Sequence, residues 1–113
     1  MKLIVAYIQP DALPSVKKSL FQKDIFKISV TNASGCGQQK GYAENYRGTI
    51  TEVNLLKKIR IEIAVNDEYV DSVTNAIIDG ARTGNIGDGK IFVMDLGDCI
   101  RIRTGESGSA AIG

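Results

Sequence analysis

The stretch Thr83-Gly84-Asn85-Ile86-Gly87-Asp88-Gly89-Lys90 combines three glycines with a closing lysine. Glycines let backbone N–H groups approach a ligand closely, and a lysine ammonium beside them can neutralise a phosphate. The spacing is not that of a Walker A motif, because no Ser or Thr follows the lysine and the segment leads into a strand instead of a helix. An ordinary helix-to-strand connection with a glycine C-cap has the same composition. Arg101-Ile102-Arg103 sets two guanidinium groups two residues apart. On an extended segment both would share one face as a fork for a polyphosphate, the ordinary alternative being a solvated edge strand. Gly35-Cys36-Gly37-Gln38-Gln39-Lys40-Gly41 adds a second loop with amide and ammonium groups, suited to a ligand cradle or to a plain loop.

Other chemistries are excluded more firmly. The 113 residues contain no histidine, which removes the commonest general base and the commonest zinc ligand. Fourteen basic against thirteen acidic side chains leave a formal charge of +1, so no bulk field favours nucleic acid or an anionic membrane, and anion binding must be local. Cys36 and Cys99 have neither CxxC spacing nor the density of a disulfide scaffold, and a reducing cytoplasmic setting is expected. The apolar run Met1–Ile8 ends at Gln9-Pro10-Asp11, far short of the roughly 18 residues of a membrane span.

The elements that must position these loops repeat. Leu3–Ile8 is a short apolar run of strand length. Leu13, Val16, Leu20 and Phe21 recur near the helical period, with Pro14 tolerated in the first turn. Phe26–Thr31 alternates as a half-buried strand does, closing a βαβ unit. Ile59, Ile61, Ile63 and Val65 alternate again, Asn66 offers an N-cap, Val70, Val73 and Ile77 follow at helical spacing, and Ile91–Met94 is the next strand. Two such units predict an α+β, ferredoxin-like antiparallel four-stranded sheet with two helices on one face. Its helix-free face calls for self-association. One domain, 1–113, is expected, with a long mobile loop at 37–55 and a flexible tail at 104–113. A polar insertion of that length is uncommon in a compact domain unless it has a function.

Together these segments resemble the PII nitrogen-regulatory signal-transduction family over nearly the whole chain. The resemblance is carried by Gly35-x-Gly37-x-Gln39-Lys40-Gly41, Tyr46-Arg47-Gly48, Lys58-x-Arg60-Ile61-Glu62-Ile63, Ala81 to Val93, and Ile100-Arg101-Ile102-Arg103-Thr104-Gly105-Glu106. It implies a non-enzymatic, cytoplasmic homotrimer that binds ATP or ADP competitively in three clefts between subunits. Nucleotide contacts would come from Ser29, Gly35, Gly37, Gln38, Glu62, Ile63, Ala64, Gly87, Asp88, Gly89 and Lys90, with Arg101 and Arg103 from a neighbour. Adenine would lie near Ser29, Ile63 and Ala64, with Glu62 beside Lys90. Mg2+ with ATP would complete a 2-oxoglutarate site through Gln39, Lys40, Gly41 and Lys58, Gln39 also serving the metal. Tyr46, Arg47, Gly48, Thr49 and Thr51 would meet a partner, either an ammonium transporter contacted at the inner face of the membrane or an enzyme of nitrogen metabolism.

Two positions depart from the family pattern. Gln38 stands where the family usually has an arginine, which keeps hydrogen bonding and loses a charge. Thr51 stands where many bacterial members have a tyrosine that is uridylylated, so that modification is expected to be absent. The alternatives are a sensor of adenine nucleotides alone acting on another partner, a slow ATP hydrolase, and a purely structural trimeric adaptor. A hydrolase lacks an evident general base, since Glu62 and Asp88 each have a structural explanation.

Overall fold

The computed structural model describes residues 1–36, 42–46 and 49–113, with side chains described for 1–36 and 55–113. The strands are β1 (Lys2–Ile8), β2 (Ser29–Gly35), β3 (Tyr42–Tyr46), β4 (Thr49–Asn54), β5 (Leu56–Val65) and β6 (Gly89–Asp95), and the helices are α1 (Leu13–Phe21), α2 (Val70–Ala81) and the short α3 (Ser109–Ile112). A four-stranded antiparallel sheet runs β2-β5-β1-β6, and β3 pairs with β4 as a separate hairpin. This is the ferredoxin-like α+β arrangement that the two repeated units predict.

Alternation decides which face is covered. Ile4, Ala6 and Ile8 of β1 lie opposite Ile63, Ile61 and Ile59 of β5, and all are buried against Val16 and Leu20 of α1 and Val73, Ala76, Ile77 and Ala81 of α2. The helices meet closely: a Cβ on Gly80 would lie 2.6 Å from the Val16 Cα. The intervening positions point to the other side, where rows form across the strands. One row is Lys90, Tyr7, Arg60 and Thr31, and the next is Phe92, Val5, Glu62 and Ser29. Neither helix covers this face, and Phe92 and Met94 remain exposed on it.

Two expectations need correction, the start of the second strand and the cap at Asn66. The second strand starts at Ser29, not Phe26. Residues after α1 first turn through Asp24, whose φ is +59°, and Phe26 stacks on Phe21 at 5.2 Å instead of entering the sheet. Asn66 precedes a 3-10 turn, Asp67–Tyr69, without capping it; its Nδ2 donates to the Ser109 carbonyl at 3.1 Å. The loop expected at 37–55 contains the β3–β4 hairpin, while 37–41 and 47–48 lie outside the described residues. The segment expected as a flexible tail holds an Ile100–Ser107 bridge and α3, with Ala111 and Ile112 buried.

Candidate functional site

The loop between α2 and β6 is built by its own aspartate. Asp88 Oδ2 accepts the backbone N–H groups of Thr83 at 2.8 Å and Gly84 at 2.9 Å, and Oδ1 accepts the Thr83 hydroxyl. These bonds hold the Asp88 carboxyl below its ordinary range, the Thr83 hydroxyl foremost. Asp88, expected among the ligand contacts, therefore organises the loop with both oxygens. Gly84, Gly87 and Gly89 all have positive φ. At Gly89 a Cβ would sit 1.7 Å from the Tyr7 carbonyl oxygen, so only glycine lets the chain enter β6 so close to β1.

Lys90, the first residue after that entry, is exposed, and its ammonium has no carboxylate partner among the described residues. Glu62 was expected beside it. The register instead places Glu62 across Val5 from Phe92, one row away, and its Oε2 takes Arg60 Nη1 at 2.7 Å. Lys58 does reach the loop: its Nζ lies 3.4 Å from the Gly87 carbonyl. Gln9 reaches the same oxygen, its Nε2 donating at 2.7 Å. Gln9 was not singled out from sequence, and no motif marks it, because its partner is a backbone atom 78 positions away.

On the helix-free face, a cleft of about 470 Å³ is lined by Ser29, Glu62 and Ala64 together with Phe26, Cys99, Ala111 and Ile112. Ser29 and Ala64 thus share a cavity. Ile63 does not face it; its side chain is buried under the helices. A second cleft, of about 410 Å³, brings Lys57 and Lys58 together with Asn32, Ser34 and Pro10 at the end of β2. Gly35 closes β2 opposite Leu56.

Arg101 and Arg103 do not form a fork on an extended segment. Residues 102–104 turn, with the Gly105 N–H donating to the Arg101 carbonyl at 2.7 Å. Arg101 Nη1 pairs with Glu106, and Nη2 donates to the Ala111 carbonyl at 3.3 Å, while Arg103 is exposed. Both follow the far end of the seven-residue β6, whose near end holds Lys90. A strand of that length spans roughly 20 Å.

Gly37, Gln38, Gln39, Lys40, Gly41, Arg47 and Gly48 lie outside the described residues. Tyr46 ends β3, and Thr49 and Thr51 lie on β4. Among the described residues no group of three His, Cys, Asp or Glu is placed to hold a metal, and no helix is long and apolar enough to cross a membrane.

The family profile described as "Nitrogen regulatory protein P-II" matches residues 1–106, which takes in the sheet, both long helices, the Asp88 loop and the arginine turn. The chain belongs to the P-II family. Similar proteins include "Nitrogen regulatory protein P-II 2" of Methanothermobacter thermautotrophicus, 48% identical over 112 residues that cover 99% of this chain and 97% of that one. "Nitrogen regulatory protein GlnK1" of Methanosarcina mazei is 47% identical over 114 residues, with the same coverage. "Nitrogen regulatory protein P-II" of Bradyrhizobium diazoefficiens is 50% identical over 112 residues, covering 99% and 100%. This P-II chain is accordingly a nitrogen-regulatory signalling protein, not an enzyme.

Proposed function

We propose that this protein is a cytoplasmic homotrimer that binds ATP or ADP in clefts between subunits, takes 2-oxoglutarate together with Mg-ATP, and signals by docking loop 37–55 to an ammonium transporter. The observation that carries the nucleotide reading is the placement of two complementary subsites on one uncovered sheet face. The Ser29–Ala64 cleft, at the β2 edge, suits a base, and the loop with Gly87, Gly89 and the exposed Lys90 ammonium, at the opposite β6 edge, suits phosphates, a separation that a nucleotide held between two subunits accommodates. Arg101 and Arg103 lie at the wrong end of β6 to join Lys90 within one chain, which favours their contribution from a neighbouring subunit. The exposed Phe92, Met94 and Ile102 favour such a neighbour.

Lys58 and Lys57 give a cationic cleft beside the loop, fitting a dicarboxylate. Magnesium would arrive on the nucleotide, held by its phosphate oxygens. With ATP oxygens and Gln39 as ligands, it would supply open positions for a 2-oxo acid. That arrangement couples the two ligands directly. Calorimetric titration of 2-oxoglutarate into protein saturated with Mg-ATP, and separately with ADP, tests it. Binding with Mg-ATP alone supports the coupled site. Binding with neither reduces the function to adenine-nucleotide sensing, and equal binding with both contradicts the role of the γ-phosphate and metal.

A further inference from the structure

Gly87 is held from outside its own loop. Gln9 ends the β1 edge of the turn, next to Ile8, which lies opposite Gly89, and its amide is half-buried where it donates to the Gly87 carbonyl at 2.7 Å. Gly87 has a φ of +104°, and without a Cβ its peptide plane is set weakly by sterics and must be set by bonds. Asp88 fixes the start of the loop through Thr83 and Gly84, leaving the Gly87 carbonyl to other donors. Those donors are Gln9 and, at 3.4 Å, the Lys58 ammonium.

We infer that Gln9 is a positioning residue for ligand capture: it fixes the Gly87–Asp88 peptide and orients the N–H groups that follow, with the Lys58 ammonium 3.4 Å from the same carbonyl. A neutral amide does this without adding to the local charge. The ligand in this inference rests on the nucleotide reading above. Removing one neutral hydrogen bond should weaken a loop-dependent ligand about 3- to 10-fold.

The test substitutes Gln9→Met, which keeps the length of the side chain and removes the donor. ATP and AMP are titrated by calorimetry into parent and variant, and backbone amide spectra of both are recorded without ligand. The expected result is ATP binding about 3- to 10-fold weaker, AMP binding unchanged, and displaced Asp88 and Gly89 amide resonances. AMP serves as the control because it carries one phosphate and depends least on the loop. Equal ATP affinities overturn the inference, as does an equal loss for ATP and AMP, which is the sign of a general structural defect. If the parent takes no ATP, the nucleotide reading falls, and unmoved Asp88 and Gly89 resonances in the variant would then overturn the positioning role as well.

Discussion

Asp88 and Gly89 are adjacent residues that make the same loop in different ways. The Asp88 carboxyl is lowered from 3.8 by its bonds to Thr83 and Gly84. A carboxylate with a depressed folded pKa contributes stability that is present above the unfolded value and lost as pH falls through the folded one. The parent should therefore lose thermal stability as pH falls from about 5 to about 3, and Asp88→Asn should flatten that part of the profile while lowering stability at neutral pH. Melting temperatures across that range check the sign; a variant with the parent's acid profile would contradict it. Gly89→Ala is sterically blocked by the Tyr7 carbonyl as well as strained by a φ of +114°. It should cost about 2 kcal/mol or more, read from denaturant unfolding. Only part of this was legible in the sequence. Glycine spacing marks the loop, and the partners of Asp88 lie only four and five positions away, whereas Gln9 completes the loop through a contact across 78 positions that no local pattern encodes.

At the scale of elements, β5 was plain because strict alternation reports a half-buried strand, and the buried Ile59, Ile61, Ile63 and Val65 follow it. The same signal misplaced β2. Phe26 fits the alternation, yet the turn at Asp24 keeps it out of the sheet, where it stays exposed against Phe21. The β3–β4 hairpin lies where polar, glycine-rich composition predicts a loop and outweighs the strand formers Tyr42, Tyr46, Ile50 and Val53. Alanine usually stabilises a helix relative to glycine by about 1 kcal/mol. Gly80 should reverse that sign, because its Cβ would strike the Val16 backbone and push α1 off α2. Gly80→Ala is expected to destabilise by about 1–3 kcal/mol in chemical unfolding, and a more stable variant would show that the helices separate freely.

For the whole molecule, the question is what covers the helix-free face. Phe92 packs edge-on against Tyr7 yet is 48% exposed, and Met94 beside it is 45% exposed. A charge placed there should oppose assembly without entering the core under the helices. Sedimentation velocity should give a trimer for the parent and monomer for Phe92→Glu, with an unchanged far-ultraviolet spectrum. A monomeric parent would contradict the trimer and the clefts that depend on it.

The most direct measurement is ATP calorimetry on the parent, on Lys90→Ala, on Arg103→Ala, and on mixed assemblies of the two variants copurified from one cell. The parent should bind, each variant alone should bind about tenfold more weakly or worse, and the mixture should recover a fraction of sites at the parent's affinity, because an intact lysine on one subunit then meets an intact arginine on its neighbour. A parent that takes no ATP, or a mixture that recovers no sites, would contradict nucleotide capture between subunits.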